Sequence, residues 1–154
     1  MSSRSKKLRP VERLTRQRQE QAAAKLAQAQ SELQQNQGQL DNILNMRQEY
    51  RRQLVAEGTL EAARLRDFHA FLCRLDAAVD QQRQGICEQQ RQVEQLHQQW
   101  LGRWSEHRRI ETVVERREQQ ERQEQERRDQ RDLDETARLL FQAKQRGILA
   151  SDEE

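Results

Sequence analysis

Apolar residues recur in alternating steps of 3 and 4 along two stretches of this chain, with one short break, Glu57-Gly58-Thr59, between them. A repeat averaging 3.5 residues places one apolar seam on a helix, and only another helix packed alongside satisfies such a seam. Two seams joined by so short a break specify a chain folded back on itself as a helical hairpin. The second stretch is the more regular: Leu65, Phe68, Leu72, Leu75, Val79, Gln82, Ile86, Gln89, Val93, Leu96, Trp100, Arg103, His107, Ile110 and Val114 keep a strict heptad. Eleven of those fifteen positions are apolar in a chain that is 33% hydrophobic overall, so apolar side chains are concentrated where the seam needs them.

Composition points to the same class. With 35% charged residues, 4% aromatics and a mean hydropathy of -1.26, the 154 residues cannot build a globular core of usual size. The expected fold is all-α: a long two-helix antiparallel coiled coil with an overhanging C-terminal helix, forming one domain over 1–154. No apolar run approaches the roughly 20 residues of a membrane span, and no apolar segment follows the basic start, so a cytoplasmic protein is expected. Seven Lys or Arg against two Glu in the first 20 residues make a basic arm, although the net charge is only +2. Cys73 and Cys87 share one heptad position about 21 Å apart along a helix, beyond disulfide reach, and read as reduced thiols.

Proline suits a first helical turn, so helix 1 is expected from about Pro10 to Ala56. Its seam reads Ala22, Leu26, Ala29, Leu33, Asn36, Leu40, Ile43, Arg47, Tyr50 and Leu54. Upstream the apolar spacing shifts to Val11, Leu14, Arg18 and Ala22, a stutter that predicts loose pairing there. Gly58 fits a helix stop and Thr59 an N-cap, which starts helix 2 near Leu60; Gly147 supplies the next stop, after about Arg146. The shortest turn pairs Tyr50 with Leu65, Arg47 with Phe68, Ile43 with Leu72, Asn36 with Val79 and Ala22 with Val93. In that register Arg47 lies over Phe68 in a cation–π contact.

The same register sets Leu8 opposite His107 and leaves the rest of helix 2 without a partner in the chain. From Glu115 to Glu135 there are nine acidic residues, six basic, five Gln and one apolar residue, Leu133. Such a segment holds its helix through i,i+4 ion pairs. An apolar set then returns at Leu133, Ala137, Leu140 and Phe141, which predicts a docking face.

No catalytic constellation is present, and an enzyme is not expected. His69, His97 and His107 lack triad partners at helical spacing, the Asp134-Glu135 pair points in divergent directions, and no glycine-rich phosphate loop occurs. Gly38, Gly85 and Gly102 sit singly inside helical patterns and mark close contacts or flexible spots. Neither metal nor cofactor is implied. Outside the seam, an antiparallel hairpin brings the g positions of both helices to one edge, and here that edge carries Gln39 and Met46 with Phe71, Ala78 and Gly85. An apolar patch beside the loop follows.

Several segments carry a family resemblance. QLDNILNMRQEYRRQL (Gln39 to Leu54), a glycine-bearing turn, DFHAFLCRLDAAVDQQR (Asp67 to Arg83), a Trp near the middle of helix 2 and RDLDETARLLF (Arg131 to Phe141) together resemble the FliJ family. Its members are small coiled-coil components of the bacterial flagellar type III export apparatus. The resemblance implies a stalk, akin to the central shaft of rotary ATPases, that enters the hexameric export ATPase and promotes its assembly. It also implies contact with the cytoplasmic domain of the export-gate membrane protein and with export chaperones. The family's gate patch maps onto Gln39, Ile43, Met46, Tyr50, Phe71, Leu75, Ala78 and Gln82. Met46 stands where a tyrosine is common, and Gln82 where a histidine occurs. The uncovered C-terminal face, with Leu133, Asp134, Glu135, Ala137, Leu140 and Phe141, is expected to be the end that docks on the ATPase. The protein is then expected to be a monomer when free, lying on the cytoplasmic side of the inner membrane at the flagellar base through its partners.

Two other readings compete. An injectisome stalk protein matches less well around Tyr50 and Phe71. A nucleic-acid-associated coiled coil would use Arg4, Lys6, Lys7, Arg9, Arg13, Arg16 and Arg18, but the base-reading Asn of a basic zipper is missing.

Overall fold

The structure, a computed structural model, describes residues 4–59 and 61–152. It is an all-α helical hairpin: α1 spans Arg4–Ala56 (53 residues) and α2 spans Ala62–Ser151 (90 residues). Gly58 makes the reversal with φ +70, the left-handed region that a side chain disfavours. The Glu57 N–H still donates to the Gln53 carbonyl at 3.1 Å, and the Glu61 carbonyl takes the first bond of α2, from the Leu65 N–H at 3.0 Å. Glu61 rather than Thr59 therefore occupies the N-cap position of α2, and Leu60 lies outside the described residues.

Both outer helix ends run further than their punctuation suggests. α1 begins at Arg4 and carries Pro10 inside it, where the missing N–H removes one ladder bond to Lys6. α2 passes through Gly147 to Ser151, since a lone glycine costs only about 1 kcal/mol in a helix.

The chain divides into two compact units, Arg16–Ser105 and the set of Met1–Thr15 with Glu106–Glu154. In the first, Leu26, Ala29, Leu75, Val79 and Ile86 are buried, all at expected seam positions. Register differs from the shortest-turn expectation. Tyr50 packs against Phe68 and Phe71 rather than Leu65, Arg47 pairs with Asp76, and the Asn36 carbonyl accepts from Gln82. Each partner lies one to two turns further along α2. The helices thus run past their last tight layer toward the loop, where Leu65 is 50% exposed.

In the second unit the stutter is absent. Ser5, Glu12 and Thr15 are buried and Leu8 is half-buried, which carries the 3-4 spacing back to the start of α1, while Val11 and Leu14 face outward. Polar residues occupy this seam because the partner helix supplies polar groups. The Thr15 hydroxyl donates to the Glu12 carbonyl at 2.9 Å, and its oxygen lies 3.0 Å from Nδ1 of the buried His107. Further out, Arg9 pairs with Glu118, and Ser5 binds the Glu121 carboxylate. His107 faces Thr15 rather than Leu8, a displacement of one heptad, and α1 covers α2 as far as Glu121.

Candidate functional site

Most residues expected to form the loop-side patch are brought together on one edge. Tyr50 and Phe71 stack with ring centroids 4.3 Å apart and planes tilted by 34°, and Phe68 meets Tyr50 edge-on at 5.8 Å. Aromatic pairs in such geometry contribute about 0.5–1.5 kcal/mol beyond burial, so the three rings brace each other across the two helices. Tyr50 and Phe71 remain half-buried, and Met46 is 49% exposed.

Gln82 ties the polar end of this surface together. Its Nε2 donates to the Asn36 carbonyl at 3.1 Å and, less closely, to Oε1 of the exposed Gln39 at 3.5 Å. Ile43 and Ala78 are half-buried, whereas Leu75 is buried in the core and offers the surface little. The expected cation–π contact of Arg47 with Phe68 is replaced by an ion pair, Arg47 Nη1 to Asp76 Oδ1 at 2.9 Å. Register explains the change, because Tyr50 takes the place beside Phe68.

Glycines of α1 and α2 prove not to be close-contact points. A Cβ built at Gly38, Gly85 or Gly102 meets nothing within 4 Å. Cys73 and Cys87 are free and exposed. Within the basic arm, Arg9 meets Glu12 and Glu118.

The second candidate surface lies on α2 beyond Glu121, where every described residue is exposed. Leu133, Leu140 and Phe141 are 65%, 67% and 63% exposed, and Ala137 shares their face. Asp134 accepts from Gln130 at 3.0 Å and Glu135 lies 3.9 Å from Arg138, so both carboxylates are held by neighbours on the same helix. Sequence reasoning passed over Leu139, Ile148 and Leu149, which are also exposed. Leu139 lies about 100° around the helix from Leu140, off the face of the Leu133 set, and Ile148 and Leu149 lie past Gly147, where the helix was expected to stop.

Among the described residues no group of His, Cys, Asp and Glu could hold a metal ion, and no helix is long and apolar enough to cross a membrane. No curated protein and no solved structure matches the chain. The family model described as "Flagellar FliJ protein" matches residues 4–146, a span that takes in both candidate surfaces up to the last turn of α2. With nearly the whole chain matched, and folded as a two-helix hairpin, this protein belongs to the flagellar FliJ family.

Proposed function

We propose that the chain is a soluble, non-catalytic component of the flagellar type III export apparatus, a coiled-coil stalk for its hexameric ATPase. In this reading the face of Leu133, Asp134, Glu135, Ala137, Leu140 and Phe141 docks on the ATPase and promotes assembly of the ring. The patch of Gln39, Ile43, Met46, Tyr50, Phe71, Ala78 and Gln82, with Leu75 buried beneath it, meets the cytoplasmic domain of the export-gate membrane protein, and export chaperones bind as further partners. A monomer when free, it would be held by these partners at the inner membrane of the flagellar base.

The observation that carries the gate contact is the half-exposed Tyr50–Phe71 stack beside Met46. A surface aromatic pair with a flexible thioether next to it has the character of a binding hot spot, and it stands where the family's patch maps. ATPase docking is supported by the uncovered apolar face of α2 within the span matched by the family model.

Pull-down of the ATPase and of the gate's cytoplasmic domain tests both contacts. Phe71→Asp is expected to abolish gate binding with the helical circular dichroism signal kept, and retained binding would count against the patch. A chain cut before Arg131 is expected to lose the ATPase; undiminished capture would remove the docking claim.

A further inference from the structure

The shifted register leaves an open layer at the loop end of the hairpin. Leu54 and Leu65 follow the last aromatic layer on their helices, yet neither is closed over: Leu54 is half-buried and Leu65 is 50% exposed. With Leu72 and Ala70 they line a groove of about 460 Å³, rimmed by Arg66 and His69. On the last turns of α1 a second groove, lined by Arg51, Arg52 and the 82% exposed Val55, repeats the combination. Every charged residue lining either groove is basic. Arg51, Arg52 and Arg66 have no carboxylate partner among the described residues, whereas nearby Arg64 and Arg47 reach Glu57 and Asp76.

This groove is not the Tyr50–Phe71 patch. Phe71 and His69 are two residues apart on α2, about 200° around a helix, so they look toward opposite sides of the hairpin. Leu54, Leu65 and Leu72 hold seam positions of their helices, but Leu65 stays 50% exposed and Leu54 and Leu72 only half-buried.

We propose that the Leu54–Leu65–Leu72 groove is a second docking site, which takes an acidic amphipathic helix from a partner protein. The apolar floor accepts the partner's aliphatic side chains, as a groove between two helices accepts a third. The Arg66 guanidinium on its rim, together with Arg51 and Arg52 of the second groove at the same end of α1, selects acidic flanks and disfavours basic ones, which gives the site both its sign and its salt sensitivity. A concave floor suits inserted side chains, whereas a bilayer surface is met by convex apolar residues with basic neighbours.

The test uses the full chain and a fluorescent synthetic peptide with Leu on one helical face and Glu on the other. Controls are the same peptide with Lys replacing Glu, and vesicles of phosphatidylglycerol. The acidic peptide should bind and the lysine peptide should not. Leu65→Asp should weaken binding about tenfold, the loss of one anchoring contact, and the exposed-rim variant Arg66→Glu should weaken it while leaving the fold untouched. Phe71→Asp should bind as the natural chain does, which separates this site from the gate patch. Absence of acidic-peptide binding, equal binding of the lysine peptide, indifference to both groove variants, loss of binding in Phe71→Asp, or vesicle binding in its place would each overturn the proposal.

Discussion

Glu121 of α2 closes the start of α1: Oε1 accepts the Ser5 backbone N–H at 3.0 Å and Oε2 accepts the Ser5 hydroxyl at 2.7 Å. The first N–H groups of a helix have no partner of their own, and a carboxylate there also meets the positive end of the helix dipole. The contact spans 116 positions of sequence, so a residue far along α2 does the work of a local N-cap.

Glu121→Ala is therefore expected to fray α1 from its start, at a cost of about 0.5–2 kcal/mol, the usual range for a lost cap. Hydrogen exchange read by peptide should quicken over residues 4–15 and stay unchanged around Val79. Protection of residues 4–15 equal to that of the natural chain would show the cap to be idle.

Thr15 and His107 are both buried and share a hydrogen bond at 3.0 Å. Thr15→Val keeps the side-chain shape but strands the ring nitrogen, at a cost of about 1–3 kcal/mol. Thr15→Val with His107→Leu removes both polar groups and should recover much of that loss. Urea unfolding of the two single variants and the double measures the coupling, and strictly additive losses would deny it.

The glycines make opposite predictions according to backbone. Gly38→Ala, Gly85→Ala and Gly102→Ala place a methyl group in open space inside a helix, and each should stabilise by about 1 kcal/mol. Gly58→Ala forces a side chain into positive φ and should destabilise by about 1–2 kcal/mol. Thermal melts followed at 222 nm give both signs, and a fall in melting temperature for any of the three helical variants would contradict the open geometry.

Val79 is 1% exposed, the most buried large side chain among the described residues. Val79→Ala should cost about 2 kcal/mol through lost apolar contact and the cavity left behind. The unfolding midpoint in urea should fall accordingly, whereas Val55→Ala at the exposed loop end should leave it in place.

How much of this was legible depended on which residues carried the pattern. Leu75, Val79 and Ile86 were placed correctly because an apolar seam announces itself by spacing alone. Ser5, Glu12 and Thr15 continue the same seam, but polar residues reveal burial only through their partners, and those lie about a hundred positions away. Val11 and Leu14 drew the expected seam onto the wrong face for that reason. Register failed through a related assumption, that helices pair up to their ends. Leu54 and Leu65 show the helices continuing past the last tight layer, a freedom that loop length does not reveal. At the loop-side patch, spacing put Met46 and Phe71 on one edge and Tyr50 in the seam, and only the family resemblance grouped Tyr50 with Phe71, whose rings do stack.

Beyond Glu121 each described side chain of α2 is exposed, and its hydrogen bonds run to residues of its own helix, as Gln125 to Asp129 and Gln130 to Asp134. Order in this segment thus rests on short-range terms of a few tenths of a kcal/mol each, so heating melts it gradually, without the sharp transition of a packed core. A partner docking on Leu140 would, where the segment is partly melted, bind with an apparent affinity that scales with the helical fraction. Temperature and helix-favouring substitutions on the far face then become controls on binding that never touch the contact itself.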